Sequence, residues 1–194
     1  MSGPTAGFAR LLEVFSALDI AYMVGGSIAA CVHGIPRSTN DVDLIAAVSS
    51  RHVTPLVAAL KEEFYVDPPE AIHQALSAGR MFNLIHFGSS YKFDIYPLPP
   101  EPYHQAAFAR RRTEEYRFDE QVGLTFFVAS PEDTILAKLV WYRLSNAILE
   151  RQWSDVLDVV RVQRGRLDLA YLRHWAGPLQ VEDLLEEALA AGCP

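Results

Sequence analysis

The spacing of apolar positions along this chain changes period several times, and each change marks an element. Phe8 to Leu18 (FARLLEVFSAL) carries Leu11, Leu12, Val14, Phe15 and Leu18 largely on one face at helical spacing, which predicts a helix packed on a sheet. Ile20 to Val24 is a continuous apolar run of strand length, and the Ala-rich segment Ile28 to His33 follows as a short helix. Asp41-Val42-Asp43-Leu44-Ile45 alternates polar and apolar residues, so it reads as a strand with both acids on one face. Val53 to Phe64 is an amphipathic helix started by Ser49-Ser50, Tyr65 to Pro69 is a break, and Glu70 to Ala78 is a short helix. Met81 to Phe87 and Tyr91 to Tyr96 flank Gly88-Ser89-Ser90, a loop short enough for an antiparallel hairpin. Tyr103 to Arg112 then reads as helix, with Tyr116 to Phe118 and Leu124 to Val128 as short strands.

From Ser130 onward the pattern is helical throughout. Ser130-Pro131-Glu132-Asp133 places Ser at a cap, Pro at the first position and acids in the first turn. Helices are expected over Pro131 to Leu144, Glu150 to Val162, Leu167 to Trp175 and Val181 to Ala191. The class this predicts is α+β: a mixed β-sheet of about five strands flanked by helices, with a C-terminal helical region beginning near Ser130. Trp141, Trp153 and Trp175 would fill the core of that region or a dimer contact.

At 194 residues the chain suits one compact domain, or a catalytic domain with a small helical appendage, and its 50% hydrophobic content is enough for a core. The net charge of −7 argues against a broadly basic nucleic-acid-binding surface. Arg110-Arg111-Arg112 and Arg161 to Arg166 gather positive charge, as a local patch or as solvated helix ends and turns. No apolar run reaches the roughly 18 residues that span a membrane, and the N-terminus lacks the form of a signal peptide. A cytoplasmic protein without membrane attachment is the expectation. The two cysteines, Cys31 and Cys193, read as a helix-packing residue and a tail residue. Six histidines show no zinc-type spacing, and His33, near the chemistry described next, reads as a helix C-terminal residue favoured by the dipole.

Residues 20 to 45 concentrate the chemistry. Gly25-Gly26-Ser27 lies between a strand and a helix start, where glycine lets an anion approach the backbone and the Ser hydroxyl and first-turn amides supply donors. Asp41 and Asp43 on one strand face repel each other unless a cation intervenes, and hard oxygen donors of this kind suit Mg2+. With Arg37 for charge, these pieces describe a nucleoside triphosphate site. There is no Gly-x-x-x-x-Gly-Lys-Ser/Thr run and no Gly-x-Ser-x-Gly, so neither a P-loop nor a serine elbow is the device. Asp94, in an apolar strand, needs a partner or a cation, and Lys92 shares its face. Lys138 lies mid-way along an otherwise apolar helix, where snorkelling is the ordinary explanation. Asp155 and Asp158 share a helix face, with Arg151 and Arg161 close enough in sequence to pair with them.

The same stretch resembles the active-site signature of the nucleotidyltransferase superfamily, the fold of DNA polymerase beta and of antibiotic nucleotidyltransferases, and in particular its AbiEii-like and minimal branches. The family pattern, a Gly-Gly/Ser turn, a helix, then Arg-x-Thr-x-Asp-x-Asp-Leu, is matched by Gly25, Gly26, Ser27, Arg37, Thr39, Asp41, Asp43 and Leu44 without a gap. The resemblance implies a nucleotidyltransferase fold, with a catalytic domain over residues 1–129, a helical region over 130–194 packed on it, and the nucleotide in a cleft between sheet and helices. It implies Mg2+ or Mn2+ on Asp41, Asp43 and Asp94, the last as the third metal carboxylate rather than a simple partner of Lys92. Nucleotide contacts would come from Gly25, Gly26, Ser27, Arg37 and Thr39, with Lys138 reaching the triphosphate and Asp155 standing near the active site. The implied activity moves a nucleoside monophosphate (NMP) from a nucleoside triphosphate (NTP) to an acceptor hydroxyl with release of pyrophosphate. The AbiEii-like branch implies a toxin-type enzyme acting on RNA and restrained by a partner antitoxin. An antibiotic-type enzyme with a small-molecule acceptor, a protein acceptor, and a non-catalytic nucleotide- or partner-binding module are the alternatives.

Overall fold

The computed structural model describes residues 4–117, 123–145 and 150–192. The chain groups into two compact units, one of Met1–Val24 with Thr39–Val128, the other of Gly25–Ser38 with Ala129–Pro194.

The first unit holds α1 (Pro4–Ala17), β1 (Tyr22–Val24), β2 (Asp41–Ala46), α3 (Ser50–Leu60), β3 (Phe64–Val66), α4 (Pro69–Ser77), β4 (Phe82–His86), β5 (Lys92–Pro97), α5 (Pro102–Ala109), β6 (Arg112–Arg117) and β7 (Gly123–Val128). Among the described residues these strands make one seven-stranded mixed sheet in the order β3-β4-β5-β2-β1-β7-β6. β2 and β5 run parallel because the chain crosses over between them, whereas β4 and β5 form the expected antiparallel hairpin. The left-handed residue of that hairpin loop is Ser90, at φ 57, and not Gly88.

The apolar face of α1 supplies Phe8, Leu11, Val14 and Phe15 to the core, while Leu12 and Leu18 stay half-buried. Phe8 meets Phe93 of β5 and Phe126 of β7 with ring centroids 5.9 and 5.2 Å apart, which ties the helix to both halves of the sheet. Val42, Leu44 and Ala46 of β2 are fully buried, so the opposite parity, Asp41, Asp43 and Ile45, must face the other way.

Three expectations are corrected here. Phe64–Val66 is a strand paired with β4, not the end of a helix and a break. A three-residue strand is too short to show a period, so its pairing partner and not its own pattern determines it. The helix expected to run to Arg112 ends at Ala109, and Arg112 opens β6. That strand, RTEEYR, lies at the sheet edge, where charged residues are favoured and apolar alternation is not required. Among the described residues the sheet has seven strands where about five were expected. Phe118 and Cys193 lie outside the described residues.

The second unit is helical: α2 (Gly26–His33), α6 (Pro131–Leu144), α7 (Glu150–Val162), α8 (Leu169–Ala176) and α9 (Glu182–Ala191). Helix α6 begins as its sequence predicts, with the Ser130 hydroxyl accepting from the Asp133 amide at 3.1 Å. α2 packs against α6 and α7. Gly34, just past α2, allows this approach, since a Cβ there would lie 3.1 Å from the Val159 amide nitrogen and 2.9 Å from the Ala30 carbonyl oxygen. The core is aliphatic, from Leu136, Leu139, Val156, Val159, Leu172 and Leu185. Trp141 is exposed on α6, and Trp153 and Trp175 are half-buried, Trp153 stacking on Tyr142 at 5.3 Å. Among the described residues no helix is long and apolar enough to cross a membrane.

Candidate active site

Three of the candidate residues lie on one face of the central sheet. Parallel pairing of β2 with β5 sets Asp43 opposite Asp94 and Asp41 opposite Lys92, and the two-residue side-chain repeat sends all four side chains to the same side. Asp94 is the deepest, at 6% exposure. Its Oδ2 receives Lys92 Nζ at 2.9 Å, while its Oδ1 is buried without a hydrogen-bond partner. Tyr96, two residues further on, shares the face, and its phenol is pushed up to about 12, by burial first and then by the charges of Asp43, Asp94 and Asp41. The Lys92 ammonium is held above its ordinary value chiefly by its hydrogen bond to Asp94, with all three carboxylates adding to the effect.

Thr39 prepares the entry to β2. Its hydroxyl donates to the Asp41 carbonyl at 3.3 Å, and its own carbonyl accepts from the Tyr91 hydroxyl at 2.6 Å. Thr39 thus fixes the backbone from which Asp41 projects.

Four further candidates, Ser27, Arg37, Lys138 and Asp155, form a connected network within the helical unit. Arg37 grips Asp155 bidentately, Nε to Oδ1 and one terminal nitrogen to Oδ2, both at 2.8 Å. That same terminal nitrogen lies 2.9 Å from Ser27 Oγ, and Lys138 Nζ donates to Asp155 Oδ2 at 2.7 Å. Asp155 and Lys138 are 5% and 4% exposed, so their pair is buried, with Arg37 half-buried beside it and sharing the same carboxylate. Burial alone would raise the Asp155 carboxyl, but the hydrogen bonds from Arg37 and then Lys138 outweigh it and hold it below its ordinary value. The partners of Asp155 are therefore Arg37 and Lys138, and Arg161 lies beside Asp158 instead, at 3.7 Å. Lys138 does not snorkel: it points inward to a charge.

Gly25 and Gly26 start α2 beside Ser27. Gly25 precedes the helix, its carbonyl accepting from the Ala29 amide at 3.1 Å. Gly26 has φ 54, a left-handed conformation that favours glycine. His33 at the other end of α2 is buried and donates from Nε2 to the Ala129 carbonyl at 2.6 Å.

Sequence reasoning gave Lys92 only as a pairing alternative and did not single out Tyr96, although its position two residues from Asp94 carried the signal. It also read Glu132 and Asp133 as ordinary first-turn acids. Both are buried: Tyr171 donates its hydroxyl to Asp133 at 2.7 Å and the Asp168 amide donates to Glu132 at 3.0 Å, which fastens α8 to α6.

No protein-family model matches the sequence, and no curated protein matches it. Solved structures match it in shape. An antigenic nucleotidyltransferase-like protein from Paracoccidioides brasiliensis matches 95% of this chain and 91% of its own, with TM-score 0.54 and 17% identity. The antibiotic-resistance factor ANT(2″)-Ia, crystallised with adenylyl-2″-tobramycin, matches 90% of this chain and 95% of its own, with TM-score 0.52 and 12% identity. The solution structure of the same factor gives TM-score 0.51 over 93% of this chain and 92% of its own, at 14% identity. The fold is that of the nucleotidyltransferases. At such identities the likeness establishes the nucleotidyltransferase fold itself, and the residues must speak for the chemistry.

The side chains on β2 and β5 offer what a hard divalent cation takes: carboxylate oxygens on adjacent strands, one of them, Asp94 Oδ1, buried and lacking a partner. Among the described residues no three His, Cys, Asp or Glu side chains converge as a ready-made centre. The Lys92 ammonium occupies the other Asp94 oxygen. The donor chemistry fits Mg2+ or Mn2+, with Lys92 as the present counter-charge.

Proposed function

We propose that this protein transfers an NMP from an NTP to an acceptor hydroxyl and releases pyrophosphate. The observation that carries this reading is the register that sets Asp43 opposite Asp94, with Asp41 two residues along on the same face, in a sheet of nucleotidyltransferase fold. A divalent cation on Asp41, Asp43 and Asp94, Mg2+ or Mn2+, would supply charge neutralisation to the triphosphate. The chain's own groups do the rest. Gly25, Gly26 and Ser27 offer backbone amides and a hydroxyl to phosphate oxygens. Arg37 and Lys138, two cations against the single carboxylate of Asp155, favour the charge that builds on the leaving pyrophosphate. The acceptor oxygen attacks the α-phosphorus, the bond from that phosphorus to the bridging oxygen breaks, and the hydroxyl proton passes to Asp94.

A small hydroxylated acceptor is the class that the net charge of −7 supports, because a polyanionic acceptor is repelled by such a surface. ANT(2″)-Ia, complexed with adenylyl-2″-tobramycin, shows that this fold accommodates such chemistry in that protein. An RNA acceptor and a partner antitoxin are what the AbiEii-like signature favours, and they are the second reading.

The test is incubation of wild type and Asp43→Asn with Mg2+ and each of the four α-labelled triphosphates, against an aminoglycoside and lincosamide panel, total RNA and a protein extract. Label on a small molecule that vanishes in the variant is the expected result. Label on RNA moves the protein to the second reading. No label in any fraction, with triphosphate still bound, sinks the transfer reading and leaves a nucleotide-binding module.

A further inference from the structure

The two oxygens of Asp94 are unlike: one is hydrogen-bonded to Lys92 and the other is buried without a partner. A carboxylate at 6% exposure in that state is costly, and the Lys92 ammonium offsets part of that cost. Lys92 is placed for more than one partner, since its strand position faces Asp41 across β2 while its Nζ reaches Asp94. With its side chain 35% exposed, the lysine also has a path outward that Asp94 lacks.

We infer that Lys92 is a built-in counter-cation for the carboxylate face, holding Asp94 in place without metal and withdrawing from it when a divalent cation binds. This rests on the reading of Asp41, Asp43 and Asp94 as metal ligands. Its consequence is an order of events. An ammonium within a few ångströms of the incoming ion lowers the affinity of the face for metal alone. A triphosphate brings its own negative charge, offsets that repulsion, and gives the displaced ammonium a new partner. Metal is therefore taken up with the nucleotide and poorly before it, which keeps the empty enzyme from accumulating bound metal. Lys92 is in this sense a positioning residue, acting through Asp94.

The experiment measures Mn2+ binding by electron paramagnetic resonance of the free ion, with and without a non-hydrolysable triphosphate, for wild type, Lys92→Met, Lys92→Gln, Lys92→Arg and the double variant Lys92→Met/Asp94→Asn. Without nucleotide, Lys92→Met should bind Mn2+ about tenfold more tightly than wild type or better, and Lys92→Gln, which keeps a donor for Asp94 but no charge, should do the same. Lys92→Arg should stay weak. The gain should shrink when triphosphate is present and disappear in the Asp94→Asn background. In a chelator, Lys92→Met should melt lower than wild type and recover with Mn2+. If Lys92→Met fails to fold, Lys92→Gln carries the test. Equal or weaker Mn2+ binding by the neutral variants overturns the role of Lys92 while leaving the metal reading standing. No Mn2+ binding by any of the proteins, with triphosphate present, overturns both.

Discussion

Two charged clusters, one in each unit of this molecule, are built on opposite rules. In the helical unit, Asp155 accepts from Arg37 through both oxygens and from Lys138 as well, so a single carboxylate satisfies two cations. On the sheet, three carboxylates share one face with one ammonium, and Asp94 Oδ1 is left without a partner. In the helical cluster each of the named charges meets an opposite one. On the sheet face negative charge is in excess, an arrangement that favours a cation. The two clusters thus differ in whether the charges named in them already meet opposite charges within the fold.

The sharpest way to break that contrast is Asp155→Ala. It leaves Arg37 and buried Lys138 without their carboxylate, and should cost about 3–5 kcal/mol of unfolding free energy in a urea titration. The same group sets an acid limb. Its folded value is depressed, so its contribution is present above the ordinary carboxylate value and is lost as pH falls through the folded one. Asp155→Asn should flatten that limb of the stability profile, and an unchanged acid limb would show that Asp155 does not organise the cluster.

Asp43→Asn should behave in the opposite way. Turnover is expected to fall by about 10²–10³-fold, while the melting temperature holds or rises, because one repulsive charge is removed from the face. A fold lost together with activity would make the face structural and end the comparison.

Tyr96 sharpens it. A phenol pushed up to about 12 favours its neutral form in the folded state, so its contribution to stability is full below the unfolded value and is lost as pH rises from the ordinary phenol range toward 12. Titration at 295 nm of wild type against Asp94→Asn should show one phenol moving down part of the way, since burial is the larger cause and stays. No movement would separate Tyr96 from the acids. The smallest effect belongs to Gly26→Ala, whose left-handed φ of 54 should cost about 1 kcal/mol by chemical denaturation.

Much of this was legible locally. Ser130 and Pro131 announce α6, Gly34 marks the end of α2, and the alternation of Asp41 and Asp43 gives a strand with a polar face, because capping, turn chemistry and period are properties of a few neighbouring residues. The carboxylates, the Gly-Gly-Ser turn and Arg37 could be singled out for the same reason: their chemistry is carried by residue type and short spacing. Phe64–Val66 and the polar strand Arg112–Arg117 could not be read that way, since each becomes a strand only by pairing with a neighbour in the sheet. The bond from Arg37 to Asp155 spans 118 positions and that from Lys138 spans 17, so nothing local announces which cation a helix acid will take. The sequence by itself determined which groups were available and on which side of each strand or helix they would stand. Only the tertiary structure decided their partners: parallel register put Asp94 beside Asp43 with Lys92 on its oxygen, and helix packing turned Lys138 inward. Burial makes an unpaired charge expensive, and which charges are buried together is set by how distant segments pack.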